Sequence, residues 1–368
     1  MKIRIQQRDL SKCINIVQKG ISSKSTLPIL SGILLEAENG KLKLIGTDLE
    51  IVIKSSINCD VKEEGSIVIT SRLFGDIVRK LPDLPIDLYV DENNNIHINC
   101  GNSKFNLIGL SPMDYPQLPE IKEERYFKIP NDLLKSMIRQ TIFAAAQDET
   151  RPILTGALFE TSDNSVSLVA IDGYRLAVKK VTVNIEDNIK VVIPAKTLNE
   201  VSKILEDDDA EVKISYTPGN IIFNFGDIVI TSRLLEGQFL NYNDIIRNEH
   251  KLRIRVRTRD LQECLERASL LAREGKNNLV KLDISDDKLV ITSNSEMGNV
   301  YEELPIKLEG NDIKIAFNSK YILEGIKAID SEEIVMDMIS NVNPCIIRPV
   351  EDNSYTYLVL PVRLAAED

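Results

Sequence analysis

The stretch "KVVIPAKTLNEVSKIL" (Lys190–Leu205) decides the fold of this chain, because the sequence contains it in two further forms. "SIVITSRLFGDIVRKL" occupies Ser66–Leu81, and "KIAFNSKYILEGIKAI" occupies Lys314–Ile329. Each stretch begins with alternating apolar residues, which predict a strand, and continues as an amphipathic helix. A fixed period of this length is the signature of a repeat architecture. The chain therefore consists of three similar repeats in tandem.

The register of the three stretches is strict. Three sets of residues recur at a constant step of 124 residues: Arg72, Lys196 and Lys320; Arg79, Lys203 and Lys327; and the acidic Asp76, Glu200 and Glu324. Seven residues are nearly two helical turns, so both bases of each helix lie on one face. The repeats therefore share a basic helix face as well as a fold.

The first half of each repeat follows the same plan. A short strand leads into a helix that begins near Asp9, Asp132 or Asp260, where a carboxylate can cap the helix or oppose its positive end. Alternating strands separated by Asn, Asp and Gly turns follow. Each repeat thus predicts β-α-β-β-β twice over, an α+β class with three tandem domains at residues 1–122, 123–248 and 249–368.

Composition limits the functional classes. The net charge is −11, and the five cysteines are scattered and never in C-x-x-C spacing, which argues against a disulfide framework or a zinc site. The first residues carry charges where a signal peptide would be apolar, so we expect a cytoplasmic protein without a membrane span. Nucleophile, zinc-protease, P-loop and dinucleotide motifs are absent from the sequence. We therefore predict a protein that is not an enzyme and binds no cofactor or metal.

The repeated bases have two readings. In the simpler one they are a solvated face, with the acids of the repeats forming i,i+4 pairs to the first base of each helix. In the other, three equivalent helices form a basic stripe that attracts the phosphate backbone without reading sequence. An acidic body with such a stripe suits a protein that surrounds DNA without gripping it.

Four stretches carry a resemblance to a known family: "TLPILSGILLEA", "GTDLEI", "AIDGYRLAV" and "LVLPVRL". With the threefold repeat, they make the whole chain resemble the sliding-clamp family, the β subunits of bacterial DNA polymerase III. The resemblance implies a homodimer in which two chains close a ring of six domains, with helices lining the channel and antiparallel sheets outside. It also implies a processivity factor that encircles double-stranded DNA independently of sequence and associates with the nucleoid during replication. The expected protein partners are the polymerase III catalytic subunit, the clamp loader, and other polymerases and repair proteins.

The resemblance also assigns residues. The constant register predicts DNA contacts at Arg72, Lys196 and Lys320, and the resemblance implies further contacts at Lys24, Gln147 and Arg151. It places a dimer interface at Phe105, Leu107, Leu270 and Leu271. It implies a groove for short linear peptides built from Leu154, Ile171, Gly173, Tyr174, Arg175, Leu176, Leu240, Ile245, Val359, Leu360, Pro361, Val362 and Arg363. Catalytic and metal-binding residues are not implied.

The predicted groove departs from the family at three positions. Ile171 replaces a common threonine, Tyr174 a common histidine, and Leu240 a common proline. We expect two arginines on the groove rim, and we expect Pro361 to end strand pairing so that the chain turns across the second repeat. Without the resemblance, "DGYR" reads as a hairpin end and "LVLPVRL" as an edge strand.

Two other functional classes remain open at the level of sequence. One is an enzyme whose site lies in a cleft between repeats. The other is a repeat-built adaptor that binds proteins and never DNA. A stable dimer that is retained on circular DNA distinguishes a clamp from both.

Overall fold

The fold is described from a computed structural model of the chain. It covers residues 1–22, 27–118, 126–162, 164–185, 188–206, 210–247, 249–275 and 278–363. Lys24, named above, lies outside the described residues, and so do the connector at 121–124 and the last residues, 364–368.

The first repeat contains β1 (Lys2–Gln6), α1 (Gln7–Val17), β2 (Gly32–Glu38), β3 (Lys41–Thr47), β4 (Ile51–Asn58), β5 (Asp60–Glu63), β6 (Gly65–Thr70), α2 (Ser71–Lys80), β7 (Pro85–Val90), β8 (Asn95–Cys100) and β9 (Ser103–Ile108). The second contains β10 (Tyr126–Pro130), α3 (Asn131–Thr141), β11 (Gly156–Ser162), β12 (Ser165–Ile171), β13 (Arg175–Thr182), β14 (Lys190–Pro194), α4 (Ala195–Ile204), β15 (Glu211–Thr217), β16 (Asn220–Asn224) and β17 (Ile228–Arg233). The third contains β18 (Leu252–Arg257), α5 (Thr258–Ala272), β19 (Leu279–Ser285), β20 (Lys288–Ser295), β21 (Gly298–Pro305), β22 (Lys307–Gly310), β23 (Ile313–Asn318), α6 (Ser319–Lys327), β24 (Glu333–Met338), β25 (Cys345–Pro349) and β26 (Tyr355–Val359).

The predicted double β-α-β-β-β pattern is confirmed in each repeat, with β5 and β22 as short additions. Local chemistry explains the tight turns: Asn39 and Gly40 have φ values of 50° and 74°, and Asp286 and Asp287 have 51° and 57°. Positive φ at both central residues is what a type I′ two-residue hairpin turn requires. Asp9 lies in the first turn of α1, where it opposes the helix dipole, although no side chain caps that helix.

Residues Met1–Asp132 and Lys203–Leu234 form one compact unit, here called the N-terminal unit. It contains a five-stranded sheet in the order β5-β1-β7-β8-β9 and an eight-stranded sheet in the order β10-β15-β16-β17-β4-β3-β2-β6. Helices α1 and α2 pack against each other in this unit.

Residues Leu133–Ser202 and Leu235–Asp368 form the second compact unit, the C-terminal unit. Its sheets have the orders β14-β11-β12-β13-β26-β25-β24-β18-β22 and β21-β20-β19-β23. Helices α5 and α6 pack together here, and the outward side of α6 carries Lys320 while Ile322, Leu323 and Ile326 are buried.

Two strand pairs explain why the compact units differ from the sequence repeats. β17 of the second repeat pairs with β4 of the first, from Ile228 opposite Ser55 to Ser232 opposite Ile51. β26 of the third repeat pairs with β13 of the second in the equivalent position. The second and third repeats therefore each complete a sheet begun by the repeat before them. The domain boundaries given above stay a prediction.

Gly325 of α6 lies against the ring of Tyr357 in β26. A Cβ atom at this glycine would lie 2.1 Å from Cε1 and 2.2 Å from Cδ1 of that ring. Tyr357 is fully buried, and its hydroxyl donates a hydrogen bond to the carbonyl of Tyr321 at 2.7 Å. The tyrosine therefore cannot move away, and only glycine fits this position of the helix.

We expect Gly325→Ala to destabilise the protein by about 1–3 kcal/mol, the usual cost of overpacking a core. In an exposed helix the same substitution stabilises by up to about 1 kcal/mol, so the sign itself reports the contact. Chemical denaturation measures the change. Gly219→Ala is the matched control, because nothing lies within 4 Å of a Cβ at that turn residue. An unchanged free energy of unfolding for Gly325→Ala would contradict this packing.

Candidate functional site

β26 is an interior strand with β13 on one side and β25 on the other. The expectation of an edge strand, drawn from "LVLPVRL" alone, is wrong, because β13 of the preceding repeat offers a free edge that β26 fills. Tyr355, Tyr357 and Val359 are fully buried. Leu358 points to the opposite face of the sheet, since successive side chains of a strand alternate.

The chain leaves this sheet at Pro361. The Leu360 N–H donates to the carbonyl of Tyr174 at 2.8 Å, and the Val362 N–H donates to the carbonyl of Ala316 in β23 at 2.8 Å. Proline has no N–H to continue the ladder. The prediction that Pro361 ends strand pairing is confirmed. The predicted direction is wrong, because the next backbone bond goes to the third repeat rather than across the second.

The apolar members of the predicted groove form one cluster on the face to which Leu358 points. Leu154, Ile171 and Leu176 are buried in it, and Ile245 packs against it half-buried. Leu176 lies directly opposite Leu358 in the ladder. The buried members of the cluster are Leu154, Leu158, Val169, Ile171, Leu176, Val178, Val192, Phe239, Tyr242, Ile346 and Leu358. The structure therefore brings this part of the predicted set together as a floor.

Other predicted residues form the surface above that floor. Tyr174 is 60% exposed, Leu240 48% and Leu360 38%. Pro361 and Val362 are half-buried, Arg363 and Gly173 are exposed, and Gly173 adopts a φ of 94° that favours glycine. Val359 differs from these, because its side chain is fully buried on the other side of the sheet.

The sequence reasoning missed one wall of this region. A cavity of about 200 Å³ lies beside Ile245 and is lined also by Arg247, Ile339, Asn343, Pro344 and Ile346. Val342 in the same segment is exposed. The signal was the pairing of β25 with β26, which brings the residues just before Cys345 alongside the closing strand. That pairing follows from the repeat, because β16 and β17 of the second repeat pair in the same way.

Arg175 is not a rim residue, and that expectation is wrong. Its side chain is only 4% exposed. Nε donates to Asp172 Oδ2 at 3.0 Å, Nη2 donates to the carbonyl of Phe143 at 2.6 Å, and Nη1 donates to the Glu324 carboxylate. Burial opposes the charge of Arg175, but the hydrogen bond to Glu324 and the neighbouring negative charges raise its pKa above the ordinary value. Two carboxylates inside the structure hold the arginine there.

An aromatic pair lies over this arginine. The rings of Tyr174 and Tyr321 stack with centroids 6.0 Å apart, and the Arg175 guanidinium lies 4.5 Å from the centre of the Tyr321 ring. A cation over an aromatic face is stabilising at this distance. A cavity of about 300 Å³ beside the pair is lined by Ala145, Ala146, Gln147, Asp148, Asp172, Tyr174, Arg175, Lys320 and Tyr321. It contains residues from both the predicted groove and the predicted DNA contacts.

The three repeated bases occupy equivalent places. Arg72, Lys196 and Lys320 are each the second residue of their helix, and each is exposed. The expected pairing of these bases with the acids four residues later is wrong in the first and third repeats. Asp76 pairs with Arg79 at 2.5 Å, and Glu324 pairs with Arg175. Both acids are therefore engaged by other arginines.

The remaining predicted contacts are spread over several elements. Gln147 and Arg151 are exposed in the segment after the short 3-10 helix Ile142–Ala144. Phe105 and Leu107 lie on β9, an end strand of the five-stranded sheet. Leu270, exposed, and Leu271, half-buried, lie at the end of α5.

The described residues lack two further features. Their helices include none long and apolar enough to cross a membrane. Clusters of three or more His, Cys, Asp or Glu side chains suited to a metal ion are absent from the same residues.

Comparison with known proteins assigns the chain in three consecutive parts. The DNA polymerase III beta subunit N-terminal domain matches residues 1–119, the central domain 128–241 and the C-terminal domain 243–363. A "Beta sliding clamp" of Staphylococcus epidermidis is 37% identical over 374 residues, covering 99% of both chains. One from Halalkalibacterium halodurans is 38% identical over 365 residues, covering 95% of this chain and 96% of the relative.

Solved structures agree with these matches. The DNA polymerase sliding clamp of Bacillus subtilis has a TM-score of 0.96 at 37% identity, covering 99% of this chain and all of the other. A sliding clamp of Pseudomonas aeruginosa bound to griselimycin has a TM-score of 0.93 at 29% identity, with the same coverage. Fold and site together define a three-domain clamp of the α+β class. The chain belongs to the DNA polymerase III beta subunit family.

Proposed function

We propose that this protein is a sliding clamp: two chains close a ring around duplex DNA and tether the replicative polymerase for processive synthesis. The observation that carries the proposal is the exposed base at the second residue of α2, α4 and α6, repeated at a constant step. Such bases attract the phosphate backbone weakly and independently of sequence, which permits sliding. Relatives over the full length bear the name beta sliding clamp.

In this proposal the protein is an accessory subunit without catalytic activity or cofactor. Its partners are duplex DNA, the polymerase III catalytic subunit, the clamp loader, and other polymerases and repair proteins with clamp-binding motifs. It acts in the cytoplasm, at the nucleoid during replication. DNA contacts are assigned to Arg72, Lys196 and Lys320, with Lys24, Gln147 and Arg151 carried from the family resemblance.

The test of encirclement is topological. We expect the loaded protein to stay on nicked circular DNA during gel filtration and to be lost when the circle is cut, because a ring slides off free ends. Retention on the linear form as well would indicate an adaptor or an enzyme that binds DNA directly. Failure to load on either form would overturn the proposal.

The basic positions give the second experiment. Replacing Arg72, Lys196 and Lys320 with Glu should abolish most loading-dependent processive synthesis while the dimer persists. Each lost phosphate contact should lower the salt dependence of DNA binding by about one unit of slope. The matched control replaces three exposed lysines on strands, Lys62, Lys180 and Lys307, with Glu. It changes the net charge by the same amount. Equal processivity of the two variants would contradict the proposed DNA contacts and indicate that the repeated bases are only a solvated helix face.

We further propose that the dimer forms between β9 of one chain and β21 of the other, flanked by Phe105, Leu107, Leu270 and Leu271. Both strands are end strands of their sheets, and an end strand presents unpaired backbone groups that a second chain can pair. Antiparallel pairing of such edges closes a ring with two identical interfaces.

The apolar residues beside these edges provide the test. Phe105→Ala with Leu271→Ala should raise the dimer dissociation constant about 100-fold, the effect of losing about 3 kcal/mol at an interface centre. Light scattering after gel filtration at micromolar concentration measures the shift. Leu27→Ala with Leu84→Ala, two exposed leucines of the N-terminal unit, is the control. An unaltered dimer in the first variant places the interface elsewhere.

The groove is proposed as the docking site for partner peptides. Buried Leu154, Ile171 and Leu176 form its floor, and the exposed Tyr174, Leu240 and Leu360 provide apolar contacts at the surface. A few buried anchors usually carry most of the binding energy in such sites. The exposed Arg363 suits a peptide with an acidic flank, whereas Arg247 lines the neighbouring cavity together with Asp244, Glu249 and Asp337.

Truncation after Val359 tests the groove. β26 ends at Val359, so the shortened chain should fold as a dimer, and within the described part of the deleted segment it loses the backbone bonds of Leu360 and Val362. Its affinity for the clamp-binding peptide of the polymerase should fall about 100-fold through loss of a central anchor. A chain ending at Arg363 keeps the described groove and is the control. Unchanged affinity, or an unfolded truncated chain, would contradict the proposed groove.

A further inference from the structure

The Arg175 side chain joins three separate pieces of the C-terminal unit: the β12–β13 turn, the segment at Phe143 and α6. Its guanidinium binds Asp172 in the β12–β13 turn, the carbonyl of Phe143 and the carboxylate of Glu324, and it lies over the ring of Tyr321. Its backbone pairs with Val359 of β26. A rigid guanidinium with several donors holds all these groups in fixed relation.

The pieces held in this way belong to both proposed binding surfaces. Asp172 begins the turn that presents Tyr174, and the Tyr174 carbonyl accepts the Leu360 N–H, so both are part of the groove. Glu324 and Tyr321 lie on α6, whose second residue is Lys320. Phe143 lies just before the segment that carries Gln147. One buried side chain thus contacts the supports of both surfaces.

The N-terminal unit shows that the fold does not need this arginine. The β3–β4 turn is the repeat equivalent of the β12–β13 turn, and Asp48 accepts the N–H groups of Glu50 and Ile51 as Asp172 accepts those of Tyr174 and Arg175. The position matching Arg175 holds Ile51, which is buried.

The strand contacts around that turn are equivalent as well. The Arg233 N–H donates to the Glu50 carbonyl at 2.9 Å, as the Leu360 N–H donates to Tyr174. The Leu235 N–H donates to the Val192 carbonyl at 2.9 Å, as the Val362 N–H donates to Ala316. The same backbone is therefore built with an isoleucine in place of the charged network.

A buried charged network is a costly way to fill a position that an aliphatic side chain can fill. It has a use when two surfaces must move together, because breaking one contact of the guanidinium leaves its partners unpaired. We propose that Arg175 is a positioning residue that couples peptide occupancy of the groove to the helix presenting Lys320. The proposal rests on the proposed groove and DNA contacts.

The coupling is positive, so binding at one surface should strengthen binding at the other. A peptide seated on Tyr174 and Leu360 holds the β12–β13 turn in place, which keeps Arg175 engaged with Glu324 and orders the first turns of α6. Lys320 is then held towards its ligand. Because coupling between two sites is reciprocal, DNA should raise the affinity for the peptide by the same factor.

Hydrogen exchange of the intact dimer tests the coupling. The probe is a synthetic peptide with the clamp-binding segment of the polymerase III catalytic subunit. We expect saturating peptide to slow exchange in the β12–β13 turn and also in α6 of the unsubstituted protein. In Glu324→Gln, exchange should still slow in the turn but no longer in α6, and peptide affinity should fall by about tenfold, within the usual range of such couplings.

Glu333→Gln is the matched control. Glu324 and Glu333 both pair with an arginine, and both side chains are 33% exposed, but Glu333 pairs with Arg255 in the β18–β24 ladder. The control should keep α6 protection and affinity. Arg175→Lys, which retains the charge and loses the fork, should behave as Glu324→Gln does.

The outcomes separate the two proposals. If the unsubstituted protein does not bind the peptide, the groove fails and the coupling fails with it. If it binds and α6 is protected equally in Glu324→Gln and in the control, the coupling alone is overturned. A purely structural role for Arg175 would lower the unfolding temperature without changing which segments respond to peptide.

Discussion

The backbone edge of β13 is the constraint on which the C-terminal unit depends. A strand edge buried without partners is costly, since each unpaired N–H or carbonyl loses its hydrogen bond. β26 supplies those partners, with Arg175 opposite Val359 and Lys179 opposite Tyr355. This pairing places Leu358 beside Leu176 and fixes the floor of the groove. It also holds Tyr357 against Gly325 and thereby sets the position of α6.

The second and third repeats each pair a strand with the open sheet edge of the preceding repeat, and the turns beside the two completed sheets carry different residues. β17 completes the sheet of β4, as β26 completes that of β13, with equivalent backbone bonds on leaving the sheet. In the N-terminal unit the neighbouring turn carries Leu49 and Ile51, and the equivalent turn carries Gly173 and Arg175. One framework thus supports a plain hairpin in one place and a charged, aromatic surface in the other.

Much of the fold could be predicted from sequence because local chemistry and the repeat agree. The 124-residue register and turns such as Asn39–Gly40 indicate the helices and the strands other than β5 and β22, and the resemblance indicates the groove cluster around Leu154 and Leu176. The rest depends on long-range pairing that one sequence does not reveal. From sequence, Arg175 is expected at the surface, and only the folded chain brings Asp172 and Glu324 beside it. The wall at Pro344 likewise depends on the β25–β26 ladder.

The interior place of β26 has a consequence for synthesis. Val359 follows the end of β13 by 177 residues, so β13 is made long before the strand that covers its edge. At ordinary translation rates of about 5–20 residues per second, that edge stays open for roughly 10–35 s. An exposed edge of this kind is a template for wrong pairing with another nascent chain. The same edge that organises the finished protein is therefore the point at which its assembly in the cell needs protection.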